Sequence, residues 1–111
     1  MQFGSTTTGY YGSQLYDSYG GGATGTDRVN NGASILVGVT GTDDDTSSSF
    51  DVYSPNLAKR TTLAGTYYSY AYSGWFGGGV FNTTQYTGFT LLLGSGSMTG
   101  GTIKVYGYRN S

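Results

Sequence analysis

Three consecutive aspartates, Asp43, Asp44 and Asp45, are the one cluster in this chain whose chemistry could hold a metal ion. Calcium wants about six to eight oxygen ligands, and an EF-hand loop supplies them from alternate positions and closes on a Glu. The stretch Gly41-Thr42-Asp43-Asp44-Asp45-Thr46 has neither the spacing nor the Glu. It reads as the solvated tip of a hairpin, and no metal and no cofactor are expected. The six acidic residues are all Asp, and there is no His, Cys or Glu. That excludes a Ser-His-Asp triad and an imidazole base, a thiolate zinc site and a disulfide framework. Paired-carboxylate hydrolysis would have to run on Asp alone. No catalytic residue is expected.

Gly77-Gly78-Gly79 shares only its composition with phosphate-cradling loops. No Lys-Ser/Thr pair and no helix follow it, so it reads as the tight start of a strand beside Trp75 and Phe76. Asn82-Thr83-Thr84 has the form of a glycosylation acceptor, which matters only in a secretory pathway. The start Met1-Gln2-Phe3-Gly4-Ser5 has no basic and no apolar region of a signal peptide. No apolar run reaches the ~18 residues of a membrane span, so no membrane partner is expected. Lys104, Tyr106, Tyr108 and Arg109 interleave cations with rings, as single-stranded nucleic-acid platforms do. Five basic against six acidic residues give a net charge of −1, too little for a phosphate-backbone binder.

The remaining chemistry is aromatic. Twelve Tyr, five Phe and one Trp are the bulk of the large side chains, densest at Tyr67, Tyr68, Tyr70, Tyr72, Trp75 and Phe76. On a single strand Tyr68, Tyr70 and Tyr72 point to one side. Such a row is either a buried face or an exposed surface for another subunit or a sugar, because Tyr and Trp give large contact area at little entropic cost. The candidate contacts are Tyr68, Tyr70, Tyr72, Trp75, Tyr106 and Tyr108.

The elements that must hold these rings are strands. Apolar residues alternate with polar or small ones at Ile35, Val37 and Val39; at Phe50 and Val52; at Phe89, Leu91 and Leu93; and at Ile103 and Val105. These ten are the expected core. Gly, Thr, Ser and Tyr dominate and are poor helix formers, and only Pro55 and the residues after it suggest a single helical turn. Turn signals recur about every ten residues. Leu, Ile, Val and Phe total 20 of 111 residues, a fraction typical of disordered chains, but low net charge and abundant rings argue for folding. The expectation is one domain over residues 1–111, an all-β antiparallel sandwich, jelly-roll-like, with about eight short strands. These fall near 1–4, 10–18, 33–40, 47–54, 62–72, 78–82, 87–93 and 101–109, with residues 1–32 loop-rich.

The carboxyl-terminal half carries a more specific pattern. Gly88-Phe89-Thr90, and the run from Ser97 through Gly100-Gly101-Thr102-Ile103-Lys104-Val105-Tyr106-Gly107-Tyr108-Arg109, resemble the end of a family of tailed-bacteriophage virion structural proteins. That family is frequent in phages of cyanobacteria and other aquatic bacteria. Phe50 to Thr61, Gly77 to Val80 and Gln85 to Thr90 are similar in order and spacing, so the resemblance spans about residues 33–109. It implies a jelly-roll-like sandwich on the virion surface, on the capsid exterior or an appendage, made in the host bacterial cytoplasm and without enzymatic activity. Within it, a capsid decoration (cement) protein is expected first, and a tail or head fibre tip binding a host surface glycan second. The expected partners are further copies of the chain, as a homotrimer, and the major capsid protein. Family members are usually longer, with strands ahead of the point where Met1 stands, so either the sandwich is minimal or a neighbouring subunit covers an open edge near Met1.

The aspartate loop generates the first test. Chelator leaves the melting temperature unchanged; a drop on chelation, restored by calcium, overturns this reading of the loop.

Overall fold

Leu63 and Tyr67 are buried between exposed neighbours, and Phe76 between exposed Trp75 and half-buried Gly77, and this period of two makes the strands that carry them one-sided. The computed structural model describes residues 1–22, 24–39 and 45–108. Asp43, Asp44 and Arg109 lie outside the described residues. Among the described residues there are seven strands: β1 (Gln2–Phe3), β2 (Tyr10–Ser18), β3 (Gly25–Gly32), β4 (Thr46–Tyr53), β5 (Thr61–Ser69), β6 (Tyr72–Val80) and β7 (Phe89–Thr90). All pairings are antiparallel, in a five-stranded sheet of order β3-β2-β6-β5-β4 and a two-stranded sheet β1-β7. The class is the expected one, all-β and sandwich-like.

The register divides the large sheet into two faces. The inner face carries Tyr10, Gln14 and Tyr16 of β2, Phe50 and Val52 of β4, Leu63 and Tyr67 of β5, and Tyr72, Phe76 and Val80 of β6. The second layer consists of β1, β7, Tyr86 and an extended strap, residues 33–39. It is tied together by its backbone: the Ile35 amide donates to the Met1 carbonyl at 2.9 Å, and the Met1 ammonium donates to the Ile35 carbonyl at 2.7 Å. Met1, Phe3, Tyr10, Ile35, Leu63, Tyr67, Phe76, Val80 and Tyr86 form the buried cluster.

Glycine lets the strap lie so close. Gly12 and Gly78 stand opposite each other on the inner face. A Cβ at Gly12 would fall 3.0 Å from Ile35 Cδ1, and one at Gly78 would fall 2.6 Å from the same atom. Glycine inside a strand marks such a close approach. The triplet 77–79 is therefore the interior of β6, paired on both sides, and not the start of a strand.

Several sequence expectations need correction. Residues 33–40 alternate like a strand, yet 33–39 join no sheet, because the strap crosses the inner face instead of lying beside a partner. Ile35 is buried, and Val37, Val39, Phe50, Val52, Phe89 and Leu91 pack against the cluster, while Leu93 is half-buried outside it. Residues 101–108 form no strand, and Ile103 and Val105 are 64% and 71% exposed. They are not core: the second layer is already filled by β1, the strap, Tyr86 and β7. The segment after Pro55 makes turns, with the Leu57 amide donating to the Ser54 carbonyl, but no helix. The start of the chain is not an open edge, because Met1 and Phe3 are buried between Ile35 and β7. Finally, β3 is a strand that the sequence hid. Its only large apolar residue is Val29, and it is held by pairing to β2 across a bulge at Asn31, whose φ of +55° an Asn tolerates.

Two tests follow. Gly78→Ala lowers unfolding stability by roughly 1–3 kcal/mol, read by denaturant melts, since the added Cβ meets the Tyr11 carbonyl oxygen and the Gly12 backbone of β2 as well as Ile35 of the strap. Burial raises the pKa of both Tyr10 and Tyr67 above the usual tyrosine value. The folded state thus keeps protons that the unfolded state releases. That contribution is complete below about pH 10 and is lost as pH rises past it. The melting temperature therefore falls above about pH 10, and a pH titration followed by tyrosinate absorbance shows these two hydroxyls ionising at higher pH in the folded protein than in the unfolded chain.

Candidate functional site

No strand covers the outer face of the large sheet among the described residues, although Tyr108 of the carboxyl-terminal segment reaches Asp51 on it, and its rows are set by the cross-strand register. Leu15, Trp75, Thr66 and Ser49 form one row; Ser13, Gly77, Ala64 and Asp51 form the next; Tyr11, Gly79, Thr62 and Tyr53 form the third. The middle of the face is therefore a floor of small residues with rings at both ends.

At one end Tyr68 and Trp75 are diagonal neighbours, since Tyr68 stands opposite Ser73 and Trp75 opposite Thr66. Tyr19, just past β2, closes on Tyr68 with ring centroids 5.6 Å apart. Its hydroxyl donates to the carbonyls of Ser69 and Tyr72, each at 3.1 Å, which fixes the ring against the β5–β6 hairpin. Desolvation, with a hydrogen bond to the neighbouring Tyr68 hydroxyl second, raises the Tyr19 pKa. Tyr68 and Trp75 are 58% and 51% exposed, and Tyr70 projects from the hairpin turn. At the other end Tyr11 stacks on Phe81 at 4.6 Å, and the Arg60 guanidinium lies 4.5 Å from the centre of the Phe81 ring, a cation–π contact.

The expected row of Tyr68, Tyr70 and Tyr72 does not exist as one strand face. The chain turns at Tyr70-Ala71, so Tyr68 faces outward, Tyr70 sits at the tip, and Tyr72 faces inward, half-buried and edge-on to Tyr16. Trp75 joins Tyr68 on the outer face, while Phe76 beside it is buried. Tyr106 and Tyr108 are exposed on the carboxyl-terminal segment, away from these strands in sequence. The Tyr108 hydroxyl donates to Asp51 at 3.0 Å, and that carboxylate raises the Tyr108 pKa. Tyr19, Tyr11, Phe81 and Arg60 were missed from the sequence. Each reaches its neighbour only through the register, which no local spacing reveals.

The face holds rings, amides, hydroxyls and small residues. Asp17, Asp27 and Asp51 lie on three different strands, Asp45 is exposed, and among the described residues no group of three potential ligands could hold a metal. Asn82 of the glycosylation-like motif is bound within the structure, its side chain paired with the Tyr86 hydroxyl. A shallow depression of about 570 Å³ runs along β2 and β3 beside Leu15 and Arg28. What the arrangement can do is present a neutral, aromatic, nearly flat surface. No protein-family model, no curated protein and no solved structure matches the chain.

Because Trp75 and Tyr68 stand outside the core, Tyr68→Ala and Trp75→Ala each cost less than about 1.5 kcal/mol of stability. Phe76→Ala costs roughly 3–5 kcal/mol. Parallel denaturant melts check the contrast between the adjacent residues 75 and 76.

Proposed function

We propose that the protein is a non-enzymatic structural protein of a bacteriophage virion, a decoration (cement) protein that docks on the outer capsid shell through the outer face of its large sheet. The observation that carries the reading is the exposed ring cluster Tyr19, Tyr68 and Trp75, with Tyr70 at its rim. Rings of this kind, held rigidly and left half in water, are the residues that contribute most when a protein surface is buried against another. A shell offers the same seam many times, so a weak contact per copy suffices. The resemblance of residues 33–109 to phage virion proteins supports the setting, on the virion surface after synthesis in the bacterial host. Partners are the major capsid protein and further copies of the chain, as a homotrimer. The absence of His, Cys and Glu supports a role without catalysis.

A second reading, the glycan-binding tip of a tail or head fibre, is favoured by one feature. Gly77, Ala64 and Ser13 make a low floor beside Trp75, where a sugar ring could stack.

Copy number in purified particles separates the two. The decoration reading expects copies comparable to the shell protein, and Tyr68→Ala with Trp75→Ala weakens particle association at least about tenfold while the protein stays folded. A few copies per particle sinks it and leaves the fibre tip.

A further inference from the structure

The sheet ends on two edges, and they differ. β3 bears Asp27 and Arg28 and is kinked by the bulge at Asn31, devices that keep an edge from pairing. β4, Thr46–Tyr53, has no Pro, no Lys and no bulge in its register with β5, and no backbone of the described residues pairs with its other side. Its outer row ends in Asp51 and Tyr53, and its inner row in Phe50 and Val52, both half-buried.

The opposite half of a ladder lies unused in the same chain. Residues 102–108 read Thr-Ile-Lys-Val-Tyr-Gly-Tyr, with strict apolar alternation at Ile103 and Val105, yet they form no strand and make no backbone hydrogen bond to the described residues. Ile103 and Val105 stand in water.

We propose that residues 102–108 are a donor strand that adds to the free edge of β4 in a second copy of this chain. Three observations choose that occupant. Seven residues match the eight of β4 in length. With Ile103 and Val105 turned to the side of Phe50 and Val52, Lys104 falls on the side of Asp51; these are the only charges on the two segments, and they are opposite. The segment reaches its own β4, since the Tyr108 hydroxyl meets Asp51, and still leaves its backbone unpaired and its apolar side chains exposed. Within reach of its own edge it does not zip, which leaves the ladder to another copy. Strand addition of this kind takes affinity from main-chain hydrogen bonds and register from alternate side chains. Exchange of tails between copies closes either as a reciprocal pair or as a ring of three. The inference is independent of what the outer face docks on.

The full chain is weighed by native mass spectrometry and sedimentation at micromolar concentration, beside Val105→Pro, which removes a ladder donor, and a chain lacking residues 101–111. The full chain is expected as a closed oligomer, and both variants as monomers with the melting temperature of the fold kept to within a few degrees. Because the protein has no cysteine, separately prepared Ser49→Cys and Tyr106→Cys proteins are mixed with a short bismaleimide. A cross-link between the two is expected. A monomeric full chain, an oligomer that survives both variants, or a cross-link that forms only within a doubly substituted chain overturns the proposal.

Discussion

The side chain of Ile35 rests where Gly12 and Gly78 leave the inner face of the sheet without Cβ atoms. The second layer depends on that contact. A five-stranded sheet cannot cover its own apolar face, and the two-residue strands β1 and β7 are too short to do so alone. The strap makes up the difference by lying directly on the glycines. From there Ile35 clamps Met1 by both backbone groups, which sets β1, and β1 sets β7. Phe3 and Tyr86 then pack at 5.4 Å between centroids and complete the cover. Polar closure follows the same path: the buried Tyr10 hydroxyl accepts from the Phe3 amide and donates to the Thr6 carbonyl.

The same residue type serves both faces, and what decides is the fate of the hydroxyl and the cover over the ring. Tyr10 and Tyr86 are buried with their hydroxyls bonded, Tyr86 to Asn82 and Thr6. Tyr67 is buried with no partner for its hydroxyl among the described residues, a local cost accepted for its ring contact with Phe76. Tyr19 spends its hydroxyl on the hairpin and leaves its ring outside with Tyr68 and Trp75. A protein poor in aliphatic side chains thus builds its core and its exposed surface from the same amino acid.

That economy limits what the sequence discloses. The alternation that places Phe50 and Val52 on β4 was legible because local period and burial agree there, whereas β2 lies in a stretch, residues 1–32, whose sequence reads as loop-rich and in which three strands in fact stand. Residues 33–39 and 101–108 carry equally good alternation and are not strands, since alternation reports a preference for a sheet and not the presence of a partner. β3 was illegible for the converse reason: its residues are polar, and its partner β2 makes it a strand. The β5–β6 hairpin turns at Tyr70-Ala71 without Gly, Pro or Asn, so a continuous row of tyrosines was inferred where the chain in fact reverses. The aromatic patch was therefore legible in Tyr68, Tyr70 and Trp75 but not in its arrangement, and Tyr19 entered only through the register.

The most direct measurement of the central contact is a double-mutant cycle on Gly12→Ala and Ile35→Ala, with unfolding free energies from denaturant melts. If the strap seats because Ile35 fills the space glycine leaves, removing the Ile35 side chain relieves the part of the Gly12→Ala crowding that falls on Ile35, the rest falling on the Gly77 carbonyl oxygen. The double variant is then more stable than the sum of the single losses by about 1 kcal/mol or more. Additive losses, within roughly 0.3–0.5 kcal/mol, contradict the account and place the origin of the second layer elsewhere.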